Sequence, residues 1–171
     1  MKIRLSGDIQ TDSIVDGEGI RTVIWTQGCS HNCEGCHNPK THSFEDGILM
    51  DVDELLKQID SLEYQDGITL SGGDPFFQVN PCILIAKCAK KNGLNVWAYT
   101  GFTFDELIKM KESNEDLNEL LKYIDVIVDG KFDINKKSLN CKFRGSTNQR
   151  IIDVQKSLKD NKVVLVEKYK E

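Results

Sequence analysis

The chain has 171 residues, a mass of 19.4 kDa and a net charge of -5, from 27 acidic and 22 basic residues. That length holds a single domain, residues 1–171, and excludes a complete eight-unit α/β barrel, which needs about 250 residues. Hydrophobic residues at 39%, charged residues at 29% and three prolines describe a folded soluble chain. The acidic balance argues against nucleic acid and anionic membranes as partners, because both recruit excess Lys and Arg.

From Met1 to Asp8 there is no apolar segment of signal-peptide length, and the longest apolar run, 82–86, is five residues. A cytoplasmic chain without a membrane span is expected. Strand and helix signals then alternate. Residues 22–26 are β-branched and aromatic and run into Gly28; 68–70 run into Gly72 and Gly73; 96–99 run into Gly101; 124–128 run into Gly130. Between them, Asp53 is placed to cap a helix with Leu55, Leu56, Ile59 and Leu62 on one face. Asn80 with Pro81 opens a second helix that closes on Lys90, Lys91 and Gly93. Thr103 and Glu106 have the spacing of a capping box, with Leu107 and Met110 on the buried side and a further helical piece through Leu117, Leu120 and Leu121. Residues 150–154 and 163–166 read as two final strands, either extending a parallel sheet or forming a hairpin. Glycines 73, 101 and 130 are 28 and 29 residues apart, the length of a βα unit. Parallel strands joined by right-handed crossovers gather such turns on one sheet edge, where α/β folds bind ligands.

In a chain whose thiols stay reduced, six cysteines point to metal more than to disulfides. Cys29, Cys33 and Cys36 lie in the first glycine turn with C-x3-C-x2-C spacing, among Ser30, His31, Asn32, Glu34, Gly35 and His37. A short reversing loop can turn three sulfurs to one side. Two centres are compatible with the spacing: a Cys3His zinc site completed by His31 or His37, and a [4Fe-4S] cluster on three cysteines with one iron open to a small molecule. Cys82 and Cys88, six apart on an apolar helix, do not share a face; with Cys141 they are assigned to the core or to incidental positions.

At the end of the first strand of an α/β chain, C-x3-C-x2-C resembles the cluster motif of the radical S-adenosylmethionine (SAM) superfamily. Val15-Asp16-Gly17-Glu18-Gly19-Ile20-Arg21 ahead of the strand and Cys36-His37-Asn38 behind it are similar to the activases that install glycyl radicals. Ser71-Gly72-Gly73-Asp74-Pro75, Tyr99-Thr100-Gly101-Phe102, Val128-Asp129-Gly130-Lys131-Phe132 and Arg144-Gly145-Ser146-Thr147-Asn148-Gln149 together resemble the branch that serves the anaerobic (class III) ribonucleoside-triphosphate reductase. The likeness runs from about residue 8 to residue 155. Gly35 in place of the usual aromatic residue, Glu18 in place of proline and Asp74 in place of glutamate favour that branch.

The resemblance implies an incomplete parallel (β/α) barrel of about five to six strands, of radical SAM type. It implies a [4Fe-4S] cluster on Cys29, Cys33 and Cys36, with SAM chelated by the fourth iron. Ser71, Gly72, Gly73 and Asp74 would meet the methionyl group, Lys131 beside Asp129 the SAM carboxylate, and Thr100 with Gly101 the border of the ligand. Gly35 and His37 would contact the adenine, and the polar cluster of Arg144, Ser146 and Asn148 would touch SAM or the partner protein. No catalytic residue beyond the cluster is implied. The expected reaction is reductive cleavage of SAM, whose 5'-deoxyadenosyl radical takes hydrogen from a glycine of the reductase, with a flavodoxin or ferredoxin as electron donor. The alternatives are an activase of another glycyl radical enzyme, such as pyruvate formate-lyase, and a non-catalytic zinc-binding module.

Overall fold

The computed structural model describes residues 1–170. In chain order its elements are β1 (Lys2–Leu5), β2 (Gln10–Ser13), β3 (Arg21–Thr26), β4 (Ile48–Asp51), α1 (Val52–Asp60), β5 (Gly67–Gly72), α2 (Val79–Lys91), β6 (Asn95–Tyr99), α3 (Phe104–Lys111), α4 (Glu115–Leu121), β7 (Val126–Asp129), β8 (Arg150–Asp153) and α5 (Val154–Asp160). The strands join one sheet in the order β4, β1, β3, β5, β6, β7, β8, with β2 also on β3.

The four strands that end in glycine turns form the parallel centre, with Val23 opposite Thr69, Thr69 opposite Trp97 and Trp97 opposite Val126. β8 then turns back antiparallel to β7, so the parallel run ends at β7. On the other flank, β1 and β2 divide the free side of β3: Leu5 lies opposite Thr26, while Gln10 and Ser13 lie opposite Val23 and Arg21. β4 pairs with β1 along its whole length. The sheet is open between β4 and β8, an incomplete α/β barrel of eight strands where five or six were expected. The additional strands β1, β2 and β4 are four residues each, too short for a period-two pattern to stand out.

Several boundaries move. Asp51, not Asp53, caps α1, its carboxylate accepting from the Asp53 amide. α2 begins at Val79, so Asn80 and Pro81 sit inside its first turn. The Thr103–Glu106 capping box forms in both directions, but Met110 is 37% exposed. Residues 163–166 form no strand: α5 comes first, ends on left-handed Asn161, and the chain returns to make one antiparallel bridge between Leu165 and Ile152.

Alternation along the strands separates two cores. Ile24, Leu70, Val96, Ala98, Ile127 and Ile152 face the helices and meet Leu55, Ile59, Ile85, Ala86, Leu107 and Leu120. Trp97, Val128 and Ile151 face the other way and are covered by Phe143, Val166 and Tyr169. The rings of Trp97, Phe143 and Tyr169 pack edge to face at 5.3, 5.4 and 6.3 Å. The returning chain therefore lines the inner face of the sheet.

At the amino-terminal end of the parallel strands Arg21 is completely buried. Its guanidinium donates to Thr69 Oγ1 at 2.8 Å and to the carbonyls of Glu18 and Ile68 at 2.7 and 2.6 Å, under the Trp97 ring. Burial lowers its pKa to about 10, still a cation at neutral pH. Arg21→Met strands those acceptors and is expected to lower unfolding free energy by about 3 kcal/mol or more, measured in urea. Leu139→Ser, at a 93% exposed position, is expected to change it by less than about 0.5 kcal/mol.

Candidate functional site

The carboxyl ends of the parallel strands meet around a cavity of about 120 Å³. Cys29, Cys33 and Cys36 line one side, Ser71, Gly72 and Gly73 a second, and Thr100, Gly101 and Gly130 a third. Main-chain pairing carries β3 and β5 past their ends to build it: Gly73 N donates to Thr26 O at 2.8 Å and Asp74 N to Gly28 O at 3.0 Å. The base of the cysteine loop is closed by Gly28 N to Thr41 O at 2.7 Å and Cys29 N to His42 O at 3.1 Å. A Cβ on Gly72 or Gly73 would stand 2.3 Å from Thr26 O or 2.4 Å from Gly28 O, and Gly72 has φ +102°. Gly72 is therefore required by the close approach of the end of β3, and Gly73 by that of Gly28 at the start of the cysteine loop.

All three loop cysteines are free and partly buried. Burial pushes the Cys29 thiol up to about 11, so ligating a metal there displaces a proton. Among the described residues no three His, Cys, Asp or Glu side chains are gathered as ligands of one ion. Three thiols lining one cavity are donors of the kind an iron-sulfur cluster takes.

The remaining expected residues fall into two groups. Asp74 is 1% exposed and its partners are all protein groups: Oδ1 accepts from Phe76 N at 2.9 Å, and Oδ2 from Thr100 Oγ1 at 2.8 Å, Gly101 N at 2.9 Å and His31 Nε2 at 2.7 Å. The carboxylate is thus satisfied by main chain and side chains of the protein, and it sits beside the cavity without being one of its lining residues. Thr100, with its hydroxyl on Asp74, lines the cavity but is likewise committed. Asp129, also 1% exposed, accepts from Phe104 N at 2.7 Å and from Arg150 at 2.6 and 3.1 Å.

Asp129 and Lys131 instead belong to a neighbouring polar cleft of about 740 Å³ that shares Gly101, Gly130 and Phe132 with the cysteine cavity. Gly35 packs toward Ile134 and Phe132, and the exposed His37 ring meets Phe132 edge-on at 5.1 Å. The 144–149 segment folds over the exit of β7. Asn148 Nδ2 donates to Lys131 O, Gln149 Nε2 to Gly130 O, and Ser146 Oγ accepts from Asp133 N, at 2.8, 3.0 and 3.2 Å; Arg144 donates to Gln149 O. Gln149, which the sequence marked only as part of the 144–149 motif, lines the cavity, and His31, marked as a candidate zinc ligand, pairs with Asp74.

Residues 15–152 match the family model described as a 4Fe-4S single cluster domain. The anaerobic ribonucleoside-triphosphate reductase-activating protein of Haemophilus influenzae is 37% identical over 150 residues, covering 81% of this chain and 90% of that protein. The proteins of the same name from Pasteurella multocida and Enterobacteria phage T4 are 36% and 35% identical, covering 81% and 80% of this chain and 90% and 86% of theirs. Among solved structures, QueE from Escherichia coli aligns with a TM-score of 0.45 at 18% identity, over 60% of this chain and 54% of that one.

Because the thiolate is the reactive form, Cys29 in the metal-free chain is expected to alkylate more slowly than an unhindered cysteine at pH 8. Its rate should rise about tenfold per pH unit until it levels near pH 11, as mapped by mass spectrometry of the labelled peptide.

Proposed function

Because the chain belongs to the family of anaerobic ribonucleoside-triphosphate reductase-activating proteins, we propose that it is a radical SAM activase that generates a glycyl radical on that reductase. The observation that carries this reading is the meeting of Cys29, Cys33 and Cys36 with Ser71, Gly72 and Gly73 around one cavity at the strand ends. These cysteines would hold three irons of a [4Fe-4S] cluster, and SAM would occupy the fourth. When bound, the cluster supplies the electron that splits SAM into methionine and a 5'-deoxyadenosyl radical, which takes a hydrogen atom from a glycine of the reductase.

The protein's part is to bind, orient and exclude water. Gly72 and Gly73 present main chain to the methionyl end, and Ser71, whose carbonyl accepts from Thr26 Oγ1 at 2.9 Å, is fixed beside them. Lys131 offers an exposed ammonium with no side-chain hydrogen bond or ion pair among the described residues, and its neighbour Asp129 is already paired with Arg150. That leaves the Lys131 charge for the SAM carboxylate. Phe132 walls both the cavity and the cleft. Gly35 and His37, packed on the Phe132 side, border the adenine in this reading. The whole of residues 1–171 serves as one radical SAM domain, and a flavodoxin or ferredoxin supplies the electron. No helix among the described residues is long and apolar enough to cross a membrane, and the proposed location is the cytoplasm.

Anaerobic reconstitution is expected to give a brown protein with about four irons per chain, whose reduced paramagnetic spectrum changes on adding SAM. Cys33→Ala should lose the cluster while Cys141→Ala keeps it. Lys131→Ala should cut SAM cleavage at least about tenfold, a charge-assisted contact being worth that much, with iron content unchanged. A colourless zinc-retaining protein, or a reduced spectrum indifferent to SAM, would overturn the proposal.

A further inference from the structure

The cysteine loop is held to the rest of the molecule by very little. Among the described residues, one side-chain hydrogen bond joins residues 30–37 to the sheet, from His31 Nε2 to Asp74 Oδ2 at 2.7 Å. The main-chain bond from Cys36 N to Cys33 O stays within the loop, and Gly35 and His37 contribute only packing against Phe132 and Ile134. The pair is shielded, with the His31 side chain 7% and the Asp74 side chain 1% exposed. The imidazole sits between the Phe77 and Phe102 rings at 5.5 and 4.6 Å, and a Cβ at residue 101 would lie 2.4 Å from it. Glycine at 101 is what lets the ring in.

An ionised carboxylate only accepts, so His31 donates from Nε2. The same Asp74 oxygen takes Thr100 Oγ1 and Gly101 N, and the other oxygen takes Phe76 N. Asp74 thus ties the exit of β5, the exit of β6 and the cysteine loop to one point.

We propose that His31 and Asp74 are a positioning pair that sets the cysteine loop against Ser71–Gly73 and Thr100–Gly101 before any cluster is bound, so that the cluster is delivered in register with its ligand. This rests on the cluster reading above. It assigns to Asp74 a role in the protein frame instead of a contact with SAM, and it gives His31 a task that neither zinc ligation nor a loop histidine of no consequence requires.

The full chain with His31→Phe keeps a ring between Phe77 and Phe102 without the donor, while His31→Gln returns an N–H. In the metal-free chain, Cys29 alkylation at fixed pH is expected to be about tenfold faster in His31→Phe and close to wild type in His31→Gln, the scale of one hydrogen bond to a buried charge. After reconstitution, iron release to a chelator is expected to follow the same order, and the paramagnetic spectrum with SAM should be altered in the Phe variant and restored in the Gln variant. Wild-type rates in His31→Phe for both readouts overturn the proposal. So does equal acceleration in both variants alongside an equally lowered unfolding midpoint, the pattern of a merely structural residue. If the wild-type chain takes up no cluster, the activase reading falls, and the Cys29 rates still decide whether the pair positions the loop.

Discussion

A single buried carboxylate organises the mouth of this molecule. Removing Asp74 from water is costly unless donors are waiting for it, and the donors come from separate stretches of chain: Phe76 from its own turn, Thr100 and Gly101 from the end of β6, His31 from the cysteine loop. None of these stretches can drift without leaving a buried charge short of a partner. A second acid repeats the device at the end of β7, where Asp129 fastens the start of α3 through Phe104 N and draws Arg150 across from β8. The parallel strands bring their ends near one another, and these two acids convert nearness into fixed position.

The opposite end is built on another principle. There a cation, Arg21, is satisfied by carbonyls and a hydroxyl, and the aromatic cluster of Trp97, Phe143 and Tyr169 fills the inner face. β1 and β2 flank β3 on its far side, so the strand that feeds the cysteine loop is paired on both edges along much of its length. The loop thus leaves from the best-supported strand of the sheet, and its own looseness begins only after Cys29.

Much of this was legible in advance, and the reasons differ by feature. The C-x3-C-x2-C spacing and the regular return of glycine after each strand are local signals, and the convergence of their turns follows from parallel connection alone. The Thr103 capping box was readable because its two bonds lie within four residues. Asp74 was not readable in this way: sequence shows a carboxylate after two glycines but not which way its oxygens point, and they point inward. His31 was hidden among ligands, its importance depending on Phe77, Phe102 and Gly101, which are distant in sequence. The apolar 163–166 run was read as a strand from its β-branched composition, yet the β8 edge is only four residues long, and the chain makes one bridge there and goes on to pack the half-buried Tyr169 against the inner cluster. β2 escaped notice because three of its four residues are exposed and none is apolar.

One part of the mouth is main chain, with Gly72, Gly73, Gly101 and Gly130 on its wall. Peptide groups carry no side chain that a mutation could delete, so truncation scanning is blind to them; a substitution at these positions adds atoms and reports displacement, not the loss of a contact. The recognition chemistry of such a wall is consequently insulated from point changes in identity and exposed to changes in shape, and it is the neighbouring side chains that aim the wall, not the wall, that mutagenesis can interrogate.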